Sequence, residues 1–230
     1  MLNFIEKPVL CWISRRLPHA VTPDKLTIIG LIGAIISFAS YAIASNEPAF
    51  IWLACAGIII NWFGDSLDGT LARFRKIERP RYGFYLDHTV DLFSQFFIGA
   101  GLALSGMVNP FAACLALILY LMIVAAAVIK QSVTGRLIQS MLGIGPTEIR
   151  LAIITMSLFV FYTKPVYLFE LAGIKLTALD LIIISSSIIS FIGLIVDTSR
   201  QIQLLKSPNA ELDGQEDVAS KPTHPGNYDR

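Results

Sequence analysis

The chain has 230 residues, of which 54% are hydrophobic and only 15% are charged, and its formal net charge is +1. A soluble domain carries about 25% charged residues, so this composition excludes an ordinary soluble domain and makes a lipid bilayer the expected solvent. The small net charge excludes a protein held on nucleic acid by bulk positive charge. The three cysteines are far apart and form no CxxC pair, which indicates neither a zinc site nor a disulfide framework.

Residues 1–26 predict a segment that lies at the membrane surface. Within it, residues 4–17 combine apolar side chains with Lys7, Arg15 and Arg16. This pattern is typical of a short amphipathic helix on an anionic leaflet, and a frayed leader is the alternative. A cleavable signal peptide is not indicated, because the two arginines follow the apolar stretch instead of preceding it.

Six stretches are long and apolar enough to form transmembrane helices, which need about 20 mostly apolar residues each. They are approximately residues 27–45, 49–72, 86–106, 110–130, 150–170 and 177–198. We therefore predict an all-α membrane protein with a six-helix transmembrane domain over residues 27–200. Residues 201–230 are polar and contain three prolines, so we expect a disordered tail there.

Capping signals mark the start of two of these helices. Thr22, Pro23 and Asp24 precede the first segment, and Thr177 with Asp180 forms a capping-box pattern at the sixth. Asp180 therefore has a structural explanation without a part in chemistry.

Lysine and arginine predict the orientation of the spans, because cytoplasmic loops are enriched in both. Counted by loop, 16 of them fall on the side that holds both termini and 2 on the other side. Both termini should then be cytoplasmic, which agrees with an even number of spans.

Two acidic pairs interrupt the second and third segments. Residues 64–73 read GDSLDGTLAR and residues 83–91 read GFYLDHTVD. Spacings of three and four place residues on one helix face, so each pair shares a face with small residues. One basic loop joins the two helices, so they are antiparallel and the pairs face each other at the cytoplasmic side. The four aspartates are Asp65, Asp68, Asp87 and Asp91.

Four unpaired carboxylates in a membrane protein repel one another and are costly to bury. Two divalent cations would balance them, and oxygen ligands favour magnesium, manganese or calcium over zinc. Paired metals of this kind polarise phosphoryl groups and activate an attacking oxygen. A cation or proton path, as in a transporter, is the alternative interpretation.

The pattern D-x2-D-G-x2-A-R-x9-G-x3-D-x3-D resembles the signature of the CDP-alcohol phosphotransferase family. Every specified position is present: Asp65, Asp68, Gly69, Ala72, Arg73, Gly83, Asp87 and Asp91. The resemblance extends over roughly residues 1–200, including the six-span layout, the N-terminal helix and the sequence TPDKLT at residues 22–27.

The resemblance implies a role for each motif position. Asp65, Asp68, Asp87 and Asp91 would hold two Mg²⁺ or Mn²⁺ ions, with Asp91 also acting as the general base on the acceptor hydroxyl. The CDP pocket would be lined by Asp68, Gly69, Ala72, Arg73 and Gly83. Attack on the β-phosphorus would release CMP.

A second polar cluster at residues 143–150 leads into the fifth segment. Glu148 and Arg150 are interpreted either as a helix cap and a membrane anchor or as ligands of substrate phosphate, and we include Arg150 among the expected nucleotide-binding residues. Lys130 and Arg136 are weaker candidates of the same kind, whereas His88 is expected to face away from the site.

Three functions remain open. The favoured one is a phospholipid-synthesis enzyme of a prokaryotic cytoplasmic membrane that moves a phosphatidyl group from CDP-diacylglycerol to a small alcohol. The second moves a phosphocholine or phosphoethanolamine head group from a CDP-alcohol to a lipid hydroxyl such as diacylglycerol. The third, a divalent-cation carrier, is disfavoured because both helices become apolar beyond the aspartates. The resemblance also implies a homodimer.

Overall fold

The computed structural model describes residues 3–134, 145–163, 167–171 and 174–206, and it is mostly helical. The described elements in chain order are α1 (Asn3–Ser14), α2 (Pro23–Ala44), α3 (Phe50–Arg75), α4 (Pro80–Leu104), α5 (Pro110–Thr134), α6 (Pro146–Thr163), β1 (Tyr167–Leu171), β2 (Ile174–Thr177) and α7 (Ala178–Leu205). The predicted helical class is confirmed, since each of the six apolar segments overlaps one helix from α2 to α7.

The two predicted capping signals are confirmed. The Thr22 side chain accepts a hydrogen bond from the backbone of Lys25 at the start of α2. At the start of α7, Thr177 and Asp180 form a complete capping box. Asp180 also accepts a hydrogen bond from the backbone N–H of Asn109, at 2.7 Å, and so ties the start of α5 to that of α7.

The fifth predicted segment, 150–170, is wrong at its end. The described part of α6 ends at Thr163, and Tyr167–Leu171 form β1, which pairs antiparallel with β2 in a two-stranded sheet. Proline lacks a backbone N–H and disfavours helix in the residue before it, so Pro165 in the sequence accounts for the stop. The apolar content of the stretch concealed this boundary.

Four of the described helices, α2, α3, α5 and α7, are long and apolar enough to cross a membrane. Together with the large apolar side chains exposed along them, they make this an integral membrane protein. Helix α4 has 25 residues, long enough at about 1.5 Å per residue, but it carries charges at one end. The six-span count and the position of the termini stay predictions, and residues 207–230 lie outside the described part of the chain.

Glycines bring the backbones of α2 and α3 into direct contact. A methyl group on Gly64 would come within 2.5 Å of the Leu26 carbonyl oxygen and 2.6 Å of the Gly30 nitrogen. One on Gly33 would lie 2.7 Å from the Gly57 carbonyl oxygen. Because real side-chain carbons do not approach this closely, only glycine permits the contact. The pairing fixes how far α3 is shifted along α2.

The N-terminal region packs on the same two helices. Leu10 of α1 is buried in a cluster with Leu26, Leu67 and Leu71. Arg75, at the end of α3, donates hydrogen bonds to backbone carbonyls between α1 and α2, including that of Leu17 at 3.0 Å. These contacts give Arg75 a structural role. The placement of α1 at a membrane surface stays a prediction.

Candidate active site

The acidic motif spans the end of α3 and the start of α4. Helix α3 ends at Arg75 and is capped by Lys76, whose left-handed backbone (φ 56°) accompanies hydrogen bonds from its N–H to helix carbonyls. The chain then turns within a few residues and α4 begins at Pro80. The end of the bundle that carries this α3–α4 loop, called here the acidic end, therefore holds both aspartate pairs.

Three of the four aspartates converge. Asp65, Asp87 and Asp91 each present a carboxylate oxygen, and these oxygens all lie within 4.8 Å of one another. Magnesium and calcium bind oxygens at about 2.0–2.6 Å, so one ion placed among the three would be within reach of each. The donor set is all oxygen and anionic, which fits a hard divalent cation and not zinc.

Asp68 is held differently. It is buried, and its Oδ2 accepts a hydrogen bond of 2.6 Å from the Thr27 hydroxyl of α2. Its other oxygen accepts from the backbone N–H of Gly69. The fourth aspartate thus lies on the predicted face, but its carboxylate is bound to the α2–α3 interface and is not within the group of three.

Arg150 of α6 is buried against the cluster. Its Nη1 donates to Asp65 Oδ2 at 2.7 Å, and its Nη2 lies 3.7 Å from Asp91 Oδ1. One guanidinium against three carboxylates leaves an excess of negative charge that a divalent cation would neutralise. The sequence predicts Arg150 either as a membrane anchor or on substrate phosphate. Its contacts instead orient two carboxylates, and its role toward a nucleotide stays a prediction.

The remaining motif positions border open space. A methyl group on Gly83 would meet nothing within 4 Å, and one on Gly69 would first meet the Arg73 guanidinium at 3.4 Å. Arg73 is exposed and bonds only loosely to Thr70, at 3.4 Å. Ala72 is half-buried beside them. A ligand can therefore approach the backbone at the acidic end, and the arginine is free to turn toward it.

The pocket beside the cluster also includes residues that the sequence analysis missed. With the three converging aspartates and Val90, it is lined by Thr27, Gly30, Asn61 and Ser94. A signal for two of them was present, because Asn61 precedes Asp65 by four residues and Ser94 follows Asp91 by three. Both spacings put the side chain on the acidic face of its helix.

Other predicted candidates lie elsewhere. His88 binds the Phe84 carbonyl of its own helix at 2.9 Å and stacks on the Phe84 ring. Its Nδ1 also lies 3.7 Å from Asp87 Oδ2, so the expectation that it faces away from the site is wrong in part. Glu148 accepts a hydrogen bond from the backbone of Gly145, which supports the cap interpretation. Lys130 pairs with Asp197 of α7 at 2.9 Å. Arg136 falls outside the residues that the structure describes.

Comparison with known proteins decides the family. Residues 20–196 match the family described as CDP-alcohol phosphatidyltransferase, a range that includes every motif position. The chain belongs to the CDP-alcohol phosphatidyltransferase family. The resemblance inferred from the eight motif residues is confirmed. Members of this family transfer a substituted phosphate group from a CDP-alcohol to an alcohol acceptor.

Two relatives match part of the chain. It is 38% identical over 85 residues to a phosphatidylinositol phosphate synthase of Cutibacterium acnes, covering 36% of this chain and 38% of that protein. It is 35% identical over 89 residues to an archaetidylinositol phosphate synthase of Pyrococcus horikoshii, covering 39% of this chain and 44% of that protein. The chain therefore spans less than half the length of either relative.

Family membership supports a metal-binding role for the group of three carboxylates. Enzymes of this family use divalent metals, and Asp65, Asp87 and Asp91 are oxygen donors spaced for such an ion. The number and identity of the ions stay predictions.

Proposed function

We propose that this protein is a phospholipid-synthesis enzyme that transfers a phosphatidyl group from CDP-diacylglycerol to a hydroxyl of a small alcohol. The observation that carries the proposal is the convergence of three motif carboxylates to within 4.8 Å at one end of a membrane helix bundle. The family match over residues 20–196 gives that cluster its chemistry.

In the proposed reaction the acceptor hydroxyl attacks the β-phosphorus of the donor. A new oxygen–phosphorus bond forms, the bond between the β-phosphorus and the bridging oxygen breaks, and CMP leaves with that electron pair. Asp91 takes the hydroxyl proton as general base. Arg150, 2.7 Å from Asp65 and 3.7 Å from Asp91, keeps the two carboxylates in position.

Asp65, Asp68, Asp87 and Asp91 would together hold two divalent cations, Mg²⁺ or Mn²⁺. When bound, such ions polarise the phosphoryl oxygens and neutralise charge that develops on them. The three converging aspartates supply one set of donors. Asp68 would reach the second ion after its carboxylate turns from Thr27, to which it is bonded at 2.6 Å.

The nucleotide would bind against the open face formed by the remaining motif positions. Gly69 and Gly83 have room for a ligand beside the backbone, and Ala72 lies next to them on the same helix face as Gly69. The exposed Arg73 guanidinium would pair with a phosphate of CDP, since arginine binds phosphate in a bidentate manner.

The names of the two relatives favour a donor that carries the lipid, of which CDP-diacylglycerol is our choice, and an inositol phosphate as acceptor. Both relatives are synthases of a lipid that carries inositol phosphate.

We also propose that the chain crosses a prokaryotic cytoplasmic membrane six times. Both termini and the active site would face the cytoplasm, and the protein would form a homodimer. The side that holds both termini has 16 of the lysines and arginines and the other side has 2, which supports this orientation.

The test is a donor and acceptor panel with the purified full chain in detergent. One arm supplies CDP-diacylglycerol with Mg²⁺ or Mn²⁺ and inositol phosphate, glycerol phosphate, inositol or serine. The other arm supplies CDP-choline or CDP-ethanolamine with diacylglycerol. Mass spectrometry of CMP and of the lipid product should show turnover only in the first arm. Turnover only in the second arm would replace the proposal by head-group transfer.

A further inference from the structure

Two buried polar side chains face the pocket one helical turn further from the α3–α4 loop than the aspartates. Asn61 lies on α3, four residues before Asp65, and Ser94 lies on α4, three residues after Asp91. Each is 1% exposed and lines the pocket with the converging carboxylates. At a rise of about 1.5 Å per residue, they sit roughly 4.5–6 Å deeper along their helices.

Hydrogen bonding fixes the orientation of the Asn61 amide. Its Nδ2 donates to the Gly30 carbonyl at 3.1 Å, so the other atom is Oδ1, which only accepts. Among the residues that the structure describes, neither Asn61 Oδ1 nor Ser94 Oγ has a protein hydrogen-bond partner. A buried polar atom left without a hydrogen bond costs about 1–3 kcal/mol. Two such atoms in one pocket therefore indicate that a bound group satisfies them.

The chemistry of the pocket restricts that partner. Asn61 Oδ1 and the carboxylates of Asp65, Asp87 and Asp91 are acceptors, and Ser94 can donate only one proton. An anionic group such as phosphate would be repelled at this depth. The partner must be a cation or a hydrogen-bond donor, and a hydrated divalent cation is both.

We infer that Asn61 and Ser94 hold an inner water ligand of a divalent cation bound by Asp65, Asp87 and Asp91. The inference rests on the metal role in the proposed function. A metal–water distance of about 2.1 Å and a hydrogen bond of about 2.8 Å together span roughly 5 Å. That matches the one-turn offset between the carboxylates and the two deeper side chains. Asn61 and Ser94 are therefore positioning residues for the ion.

The experiment measures Mn²⁺ binding to the purified full chain in detergent, from the electron paramagnetic resonance signal of free Mn²⁺. Groups that orient metal ligands from outside typically change metal affinity roughly 10- to 100-fold. Asn61→Leu should raise the Kd for Mn²⁺ by about 10-fold or more on this basis. Ser94→Ala should raise it in the same direction by a smaller factor.

Ser37→Ala is the matched control. Ser37 is 0% exposed and its hydroxyl also has no partner among the described residues, but it does not line the pocket. Its removal should leave the Kd unchanged. The Ser94 hydroxyl has no hydrogen-bond partner among the described residues, so Ser94→Ala tests the inference even where Asn61→Leu fails to fold.

Asp87→Asn separates this inference from the proposed function. Loss of Mn²⁺ binding in Asp87→Asn with wild-type affinity in Ser94→Ala would overturn the inference and leave the metal site standing. Wild-type affinity in Asp87→Asn, or no Mn²⁺ binding by the unaltered chain, would overturn the metal role and the inference with it. Weaker binding in Asp87→Asn, Asn61→Leu and Ser94→Ala, but not in Ser37→Ala, supports both.

Discussion

Helices α2 and α3 meet backbone to backbone, whereas α5 and α7 turn most of their surface outward. In the most apolar stretches of α2 and α3, 44% of residues are buried, against 17% in those of α5 and α7. The first pair is joined through glycines such as Gly64, which leave no space for a side chain. The second pair is joined in part by the half-exposed ion pair of Lys130 and Asp197.

The difference in packing between the two helix pairs corresponds to two different structural requirements of a membrane enzyme. Carboxylates that bind metal must be held to within a fraction of an ångström, and the contact of α2 with α3 supplies that rigidity directly beneath Asp65 and Asp68. Helices that face lipid need only an apolar surface. Four variants test this contrast.

The largest expected effect is on turnover. Asp91→Asn should lower the rate of CMP release by roughly 100- to 10,000-fold, because it removes the proposed general base. Asp197→Asn, in the ion pair between α5 and α7, is the control and should leave the rate close to wild type. Equal losses in the two variants would mean that the acidic end holds no special chemistry.

Gly64→Ala should be the most destabilising small change. The added methyl would lie 2.5 Å from the Leu26 carbonyl oxygen, and an overpacked backbone contact can cost about 3 kcal/mol. Gly99→Ala is the matched change where α4 faces α5, since there the methyl meets only the mobile end of Leu117, at 2.7 Å. In thermal unfolding in detergent, the unfolding midpoint should fall strongly for Gly64→Ala and change little for Gly99→Ala. The reverse order would contradict the difference between the two helix contacts.

Thr27→Val tests the hydrogen bond that holds Asp68. The valine keeps the volume but removes a buried donor 2.6 Å from the Asp68 carboxylate, at a cost of about 2 kcal/mol. Thr155→Val removes an exposed hydroxyl that bonds only to the carbonyl four residues back in α6 and should change stability by less than about 0.5 kcal/mol. Unfolding midpoints that shift alike would show that the Thr27–Asp68 bond adds nothing.

The smallest expected effect is that of Lys130→Met. Its ion pair with Asp197 involves a carboxylate that is 40% exposed, and such pairs contribute about 1 kcal/mol or less. The unfolding midpoint should fall slightly, and the rate of CMP release should stay near that of the wild type. A selective rise in KM for a phosphorylated acceptor would instead make Lys130 an acceptor ligand, as the weaker interpretation of the sequence had it.

Much of the site was predictable from local spacing. The intervals of three and four that put Asp65 with Asp68 and Asp87 with Asp91 follow from helix geometry, and one short loop required the two pairs to meet. The caps at Thr22 and Thr177 depend on residues within a single turn, and the structure bears them out. The eight motif positions were enough to identify the family.

Long-range contacts decided the rest. Arg150 lies 85 positions from Asp65 in the sequence, and Thr27 lies 41 from Asp68, so no local pattern pairs them. The end of α6 before a short sheet could not be predicted from apolar content, because the apolar stretch continues past the helix.

The helices and the acidic faces on them could be predicted from the sequence, because they depend on neighbours within one or two turns. Which carboxylates converge, and that Asp68 is held apart, depends on tertiary contacts. The tertiary structure also places Arg150 against Asp65 and Asp91. These outcomes depend on how closely α2, α3, α4 and α6 approach, and between α2 and α3 that distance is set by glycines, which have no side chain at the contact.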